Sequence, residues 1–239
     1  MNHLIKSILG ASLILTAMSL SAKQTIKADF FDMESKLSKK LFTWEKYVEQ
    51  KPDGTLVDTS KFISLEGKPL VNRITTFKNS KVVRFEAIQY QNNTRGTIDF
   101  KGDKIFFKYF ENGKQTKSDD ETVDKNLVLP STLVSHAQKN WKTITKGDTV
   151  KVRIAVWHRL DTVGFKMFKV REFTEKGQYI VEVKMKPSSF LIAALVDPLL
   201  FRFTKDGSKL LSMKGRVAPK RKVKNKFKDL DAEGVYTHL

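Results

Sequence analysis

Histidines are the first residues to examine for chemistry, because imidazole serves both as a general base and as a metal ligand. After its first 22 residues the chain contains three of them, His136, His158 and His238. They fall on a predicted helix, a predicted strand and the C-terminal tail, so no two form a local metal-binding pair such as HExxH. His136 and His158 could still meet in space, but we expect each to be a satisfied or exposed histidine.

Motifs for covalent catalysis are missing as well. The sequence contains no GxSxG nucleophile elbow, no Walker loop and no GxGxxG phosphate cradle. Asp161 and Asp197 are the only acids among largely apolar or basic neighbours, and turn or capping roles explain both. Two carboxylates from distant strands could still act together as acid and base. A hydrolase is therefore one of three functional hypotheses, beside the binding protein and the adaptor protein described below. We predict no catalytic residue, no metal site and no cofactor.

The absence of cysteine excludes several classes of protein at once. It rules out a disulfide framework, a Cys-ligated zinc site, a thiol nucleophile and the lipid-modified N-terminus of a lipoprotein. With 239 residues, 40% of them hydrophobic, and 17 phenylalanines, the chain can bury a substantial core without disulfides. Nothing in it requires more than one domain.

Positive charge is the strongest compositional signal. Lys and Arg number 44 against 26 Asp and Glu, a formal net charge of +18. Such a surface favours polyanions, although a basic balance also serves simply to keep a protein soluble. The run KRKVKNKFK predicts one extended strand with five lysines on a single face: Lys220, Lys222, Lys224, Lys226 and Lys228. This face either binds an anion or protects a sheet edge against aggregation.

The stretch KPSSFLIAALVDPLLFRF, residues 186–203, is the most apolar part of the chain outside its first twenty residues. Pro187 and the two serines predict a helix start and Pro198 predicts its end, which leaves about eight helical residues, too few to cross a bilayer. Because apolar residues surround this helix, it is expected to be buried or to face a greasy ligand or a membrane surface. The predicted ligand pocket comprises Phe190, Leu191, Leu195, Phe201 and Phe203.

The first 22 residues, MNHLIKSILGASLILTAMSLSA, have the pattern of a secretory signal peptide, with a basic start, an apolar middle and small residues at the end. Cleavage after Ser21 or after Ala22 fits the pattern. We therefore predict a signal peptide over residues 1–22, a single domain over residues 23–239, and a mature chain that is exported, soluble and without a transmembrane segment. Export also disfavours nucleic acid as the partner, and no aromatic side chain is interleaved on the predicted lysine face to stack a base.

The elements that position these residues follow from the apolar periodicity. An amphipathic helix is predicted at the start of the mature chain, because apolar residues recur there at spacings of 4, 3, 4 and 4: Ile26, Phe30, Met33, Leu37 and Leu41. After Leu41 the period becomes two, and turn signals recur 10 to 13 residues apart: Asp53-Gly54, Glu66-Gly67, Asn79-Ser80, Asn92-Asn93, Gly102-Asp103 and Asn112-Gly113. This pattern is typical of an antiparallel meander.

An insertion interrupts the meander between residues 118 and 148. Its acidic cluster, Asp119 to Glu121, is predicted to be a solvated loop rather than a metal site. Ser131 is predicted to cap a short helix that ends before Lys146. Alternation then resumes to the C-terminus. The fold predicted is mainly β (α+β), a curved antiparallel sheet or incomplete barrel of roughly ten strands with about three short helices on its concave side.

Several stretches together resemble a group of strand-rich exported bacterial proteins of unknown function: ISLEGKPLVNRITTF, GDTVKVRIAVWHRLDTVGFKMFKV, MKPSSFLIAALVDPLLFRF and DGSKLLSMKGRV. The resemblance implies a curved sheet rolled into an incomplete barrel with helices in its concave side. That shape is similar to the periplasmic lipoprotein-localisation carriers, which hold lipid chains between sheet and helix. The chain has no recognisable carrier motif, so the resemblance transfers no functional residue.

Together these observations favour a non-catalytic periplasmic or envelope protein that binds or carries an amphiphilic, anionic, lipid-like molecule. Its apolar part would sit beside the predicted pocket and its headgroup would meet lysines of the basic run. The alternative is a structural or adaptor protein that uses the basic face on an envelope polymer or a partner protein. The sequence does not determine the oligomeric state.

Overall fold

The computed structural model describes residues 23–193 and 196–239, apart from the side chains of Gln24 and Leu191. The predicted signal peptide and Leu195 lie outside the described residues. Within these ranges the chain forms fifteen strands: β1 Lys23–Asp32, β2 Lys40–Gln50, β3 Leu56–Ser64, β4 Pro69–Lys78, β5 Lys81–Gln89, β6 Thr94–Lys101, β7 Lys104–Glu111, β8 Lys114–Thr122, β9 Leu127–Val128, β10 Val150–Val156, β11 Asp161–Glu175, β12 Gln178–Pro187, β13 Leu199–Thr204, β14 Leu210–Val223 and β15 Lys226–His238. The same residues form three α-helices: α1 Leu133–Lys139, α2 Trp141–Thr145 and α3 Phe190–Ala193.

All fifteen of these strands belong to one curved, open sheet, which confirms the mainly β class and exceeds the roughly ten strands predicted. Its order is β8-β7-β6-β5-β4-β3-β2-β1-β15-β14-β13-β12-β11-β10-β9. Neighbouring strands are antiparallel except for β9 beside β10. The chain thus runs outward from β1 to β8, crosses to the other edge, and returns through β10 to β15, which pairs with β1.

The predicted N-terminal helix is wrong, because residues 23–32 form strand β1. Ile26, Ala28 and Phe30 share its concave face at a period of two, and β1 is hydrogen-bonded on both sides, to β2 and β15. The helical spacing depended on Met33 and Leu37, and both lie in the exposed turn that follows β1, where Leu37 has a positive φ of 66°. Pairing along both edges of a strand outweighs a weak helical periodicity.

The turn signals of the meander are confirmed. Two-residue connections join β4 to β5 through Asn79 and Ser80 and β7 to β8 through Asn112 and Gly113, and all four residues have positive φ. This left-handed geometry matches the twist of adjacent strands, and Asn and Gly adopt it at low cost. Phe85 and Ala87 of β5 and Ile105 and Phe107 of β7 then point inward and are fully buried.

The two halves of the sheet curl toward each other. Tyr109 of β7 stacks on Trp157, which follows β10, with ring centroids 5.8 Å apart. Thr162 of β11 donates a hydrogen bond from its hydroxyl to Glu121 of β8 at 2.7 Å. The prediction that the acidic cluster is a loop is therefore wrong, because Asp119 to Glu121 belong to strand β8. Glu121 helps to bring that edge of the sheet to β11.

The core occupies the concave side in three clusters. One cluster joins β1 to β4 with β15, and a second joins β5 to β7 with β10. In the third, α1 and α2 pack through Ala137 and Ile144 against the inner residues of β10 to β14, which confirms helices on the concave side there. The predicted short helix is α1, but Ser131 does not cap it: its hydroxyl accepts a hydrogen bond from Thr75 at 2.7 Å, and Thr132 precedes the helix.

The convex face is held by ion pairs instead. Glu182 of β12 has a side chain only 7% exposed, and it accepts hydrogen bonds from Arg171 at 3.0 and 3.2 Å and from Arg202 at 3.0 Å. Burial alone would raise the pKa of this carboxyl, but the hydrogen bonds from the two guanidinium groups outweigh it and lower the pKa. The buried carboxylate of Glu182 thus has two cations within hydrogen-bond reach.

Gly96 of β6 permits the closest approach between the two halves. A Cβ atom at this position would overlap the indole ring of Trp157. We expect Gly96→Ala to lower the free energy of unfolding by about 1–3 kcal/mol, as overpacked core positions do. Urea denaturation measures this change.

The cost should be smaller in a Trp157→Leu background, because the two residues share one contact. If Gly96→Ala costs the same in both backgrounds, the halves do not meet at this point.

Candidate functional site

Among the residues predicted to form a ligand pocket whose side chains are described, Phe190 lies apart from Phe201 and Phe203. Phe201 and Phe203 are 4% and 1% exposed and belong to the core cluster beneath α1 and α2. Phe190 is 86% exposed. Within the described residues helix α3 runs from Phe190 to Ala193, and the backbone N–H of Val196 donates a hydrogen bond to the carbonyl of Ile192 at 3.0 Å. The expectation that this helix is buried is wrong for Phe190. Leu191 belongs to α3, and Leu195 lies outside the described residues.

Two surface grooves of ≈ 260 and ≈ 450 Å³ lie elsewhere. The first is bounded by Trp141 of α2 and Tyr179 of β12. The second lies between β10 and β11 and reaches Ser188, just before α3. Neither groove is lined by Phe190, Phe201 or Phe203, so the predicted pocket has no cavity of its own among them.

The basic run does not form one strand. Strand β14 ends at Val223, Lys224 and Asn225 form a turn, and β15 begins at Lys226. Because directly paired residues share a face, Lys222 lies on the face of Phe227, while Lys226 and Lys228 lie on the face of Val223 and Arg221. The predicted single face of Lys220, Lys222, Lys224, Lys226 and Lys228 is therefore wrong. The lysine alternation is interrupted by a two-residue turn.

A site that the sequence did not predict centres on Arg73 of β4. Val71 and Thr75, its neighbours two residues away, are 1% and 0% exposed, so this face of β4 is the concave one. Arg73 therefore points into the interior of the curved sheet. Directly opposite it stand Ser60 of β3 and Ala87 of β5, two small residues that leave room around the long side chain.

Arg73 makes no hydrogen bond and no ion pair with any of the described residues, and its Nε is buried without a partner. Burial lowers the pKa of the guanidinium to about 10, so the group remains protonated at neutral pH. Its Cζ lies 5.5 Å from the ring centroid of Phe62, a cation–π contact that offsets only part of the lost hydration. In the described part of the chain, this interior cation thus has no counter-charge.

Aromatic rings form the wall beside this cation. Trp44 of β2 lies 5.6 Å from Tyr236 of β15 and 6.4 Å from Phe62 of β3, measured between ring centroids. Burial raises the pKa of the Tyr236 hydroxyl above its usual range, and the charge of Arg73 opposes that rise. A neutral phenol and two apolar rings therefore stand next to the guanidinium.

The acid on the strand next to Arg73 is already paired. Asp58 of β3 is bound by Lys46 of β2 at 2.8 Å. Burial raises the pKa of Asp58, and the ammonium of Lys46 counteracts that rise. Since Asp58 has its own cation, it does not neutralise Arg73.

The interior is not sealed around these groups. Trp44, Arg73 and Tyr236 each retain part of their accessible surface. All three lie on the concave face of the sheet, so the accessible part of the guanidinium lies on the same side as the rings. A cation that has no ion pair among the described residues, next to several rings, can bind a molecule with an anionic group and an apolar body.

His158 lies within range of the same cation. The residue keeps an exposed edge. Partial loss of hydration nevertheless lowers the pKa of its imidazole to about 4, and Lys220, Arg159 and Arg73 add repulsion that Asp229 only partly offsets. The histidine is therefore neutral near pH 7.

Among the described residues no three histidine or carboxylate side chains converge to hold a metal ion, and no helix there is long and apolar enough to cross a membrane.

Replacing Arg73 separates a structural role from a binding role. In the absence of a ligand, Arg73→Met is expected to leave the free energy of unfolding unchanged or to raise it by up to about 2 kcal/mol, because a desolvated charge without a partner is removed. Urea denaturation of ligand-free protein measures it.

Arg202→Met is the matched control. This change removes a hydrogen bond to the buried Glu182 and is expected to cost about 1–3 kcal/mol. A comparable loss in Arg73→Met would show that Arg73 stabilises the empty fold.

The depressed pKa of His158 also makes a prediction about pH. Its value in the folded protein, about 4, lies below the usual value of about 6.5, so between these values the unfolded chain binds a proton that the folded chain does not. Stability therefore falls as the pH falls through this window. In His158→Gln the loss between about pH 7 and about pH 4.5 should be smaller than in the wild type, as measured by urea midpoints. Equal losses in the two proteins would contradict the depressed pKa.

Comparison with known proteins supports the fold. No protein-family model matches the chain, and no curated protein matches it. Among solved structures, a β-barrel-like protein of the domain of unknown function DUF1849 from Brucella abortus is similar, with 10% sequence identity and a TM-score of 0.52. The match covers 92% of this chain and 97% of that chain. The chain therefore shares a strand-rich, barrel-like fold with a protein of unknown function.

Proposed function

We propose that this protein is a non-catalytic binding or carrier protein for an amphiphilic anion, which it holds inside its curved sheet. The carboxylate or phosphate of the ligand would bind Arg73, and its apolar part would contact Trp44, Phe62 and Tyr236. This proposal moves the site from the region of Phe190 and Phe203 to the other half of the sheet.

The observation that carries this proposal is that Arg73 has no counter-charge among the residues that the structure describes. A desolvated cation without an ion pair costs stability. Arg73 keeps part of its accessible surface, but its Nε is buried without a partner. The convex face of the same sheet, by contrast, supplies the buried carboxylate of Glu182 with two arginines. An anion brought by a ligand would satisfy the guanidinium with charge-assisted hydrogen bonds, for which its planar geometry is suited. The residues beside Arg73 are mainly aromatic or small, and this supports binding rather than covalent chemistry.

The proposal includes export to the cell envelope, for which the pattern of residues 1–22 is the support. Lipid-like anions are abundant there, and a carrier with an internal site would shield the apolar part of such a molecule from water. The DUF1849 protein from Brucella abortus has a similar shape and adds no information about the ligand.

Native mass spectrometry of protein extracted gently from its native host tests the proposal. The wild type is expected to carry an amphiphilic anion of defined mass, on a polypeptide that begins after residue 21 or 22. Arg73→Met is expected to lose that adduct, because the anionic group then has no cation to bind.

Arg95→Met is the control, since Arg95 also lies over an aromatic ring, Phe110 at 4.2 Å, but on the convex face. It should retain the adduct. A bare wild-type chain, or equal adducts in the two variants, would contradict an internal site at Arg73.

A further inference from the structure

The end of β14 and the start of β15 form a hairpin that stands apart from the core. All residues from Arg221 to Asp229 are exposed. We call residues 220–229 the basic hairpin. It contains one arginine and five lysines: Arg221, Lys220, Lys222, Lys224, Lys226 and Lys228.

Most of this charge is not neutralised. Lys220 pairs with Asp229, and Arg221 pairs with Asp32 at 3.1 Å. The other four lysines make no ion pair with any residue that the structure describes. Arg221 stands directly opposite Lys228 in the hairpin, and like charges in that position repel each other. Asp32, which pairs with Arg221, relieves only part of this repulsion.

Apolar side chains flank the turn among these lysines. Val223 is 36% exposed and Phe227 is 39% exposed. Phe227 stands opposite Lys222, and Val223 stands opposite Lys226. Each face of the hairpin tip therefore presents one apolar side chain beside a cation. An edge strand that only prevents aggregation would gain nothing from exposing a phenylalanine and a valine.

The base of the hairpin is firmly held. Gln91, in the turn between β5 and β6, donates a hydrogen bond to the carbonyl of Lys220 at 2.8 Å and accepts one from its amide at 2.7 Å. Arg216 of β14 pairs with Asp229 at 2.5 Å and with Asp231 at 2.8 Å. The tip is therefore presented by a fixed support.

We propose that the basic hairpin docks the protein on an anionic lipid bilayer. The four unpaired lysines bind anionic headgroups, and Phe227 and Val223 enter the interfacial layer between them. Cations combined with exposed apolar residues are the features that membrane interfaces select. A nucleic acid or a polar envelope polymer would use the lysines but would leave the valine without a partner. The inference stands independently of the site at Arg73, which uses different residues.

Co-sedimentation with lipid vesicles tests it. The full mature chain is expected to bind vesicles of phosphatidylcholine and phosphatidylglycerol and not vesicles of phosphatidylcholine alone. Changing Lys222, Lys224, Lys226 and Lys228 together to Gln should weaken binding by about tenfold or more. The double variant Val223→Ser, Phe227→Ser should weaken it by about threefold or more.

The matched control changes four other exposed lysines to Gln, which alters the net charge by the same amount: Lys78, Lys81, Lys114 and Lys125. It should bind nearly as well as the wild type. Circular dichroism checks that every variant is folded. Equal weakening in both quadruple variants would show that only the net charge matters, which overturns the proposal.

Fluorescence and competition test whether the hairpin enters a bilayer. The Phe227→Trp variant is expected to show a blue-shifted fluorescence on anionic vesicles, because the introduced ring leaves water. Docking on a bilayer would be overturned if the fluorescence does not change, or if the double variant of Val223 and Phe227 binds vesicles as well as the wild type. It would also be overturned if single-stranded DNA, at equal charge concentration, displaces the protein from vesicles.

Discussion

The pairing of β1 with β15 is the constraint on which the rest of the structure depends. It joins the strands that begin and end the described chain, over a register from Ile26 with His238 to Asp32 with Ala232. Ala28 lies between Trp44 on one neighbouring strand and Tyr236 on the other. Because alanine is small, the two large rings meet across it. The aromatic wall of the interior therefore depends on the pairing that joins the two halves of the sheet.

Electrostatics distinguish the two faces of the sheet. On the convex face, Glu182 is hydrogen-bonded by two guanidinium groups, so its burial is compensated. On the concave face, Lys46 compensates Asp58, but Arg73 has no such partner among the described residues. Natural proteins tolerate a group that lowers stability where it serves binding. The contrast between Arg73 and the compensated charges is the basis for the binding site proposed at Arg73.

Much of the architecture was predictable because turn chemistry is local. Asn79-Ser80 and Asn112-Gly113 mark tight hairpins whatever the rest of the chain does, and the alternation between them places Phe85 and Phe107 inside. The predicted N-terminal helix is wrong because Met33 and Leu37 fit a helical period by coincidence. Pairing with β2 and with β15, about 200 residues away, makes this segment a strand. The basic run was misread because its turn contains no glycine or proline.

The site was less predictable than the fold. The alternation of Val71, Arg73 and Thr75 shows that a charged residue shares a face with buried ones, and this was the available signal. Whether a carboxylate stands opposite depends on register: Asp58 lies on β3, the strand next to Arg73, yet binds Lys46 on β2. A single sequence does not contain that information, because pairing between strands is a tertiary property.

The most direct measurement is an NMR titration of the arginine Nε–H signals, with the signal of Arg73 assigned by its loss in Arg73→Met. Dodecyl phosphate should shift the Arg73 signal, whereas dodecanol, which has the same chain without the charge, should not. If the Arg73 signal stays in place, or if both compounds move it equally, the interior is not an anion site.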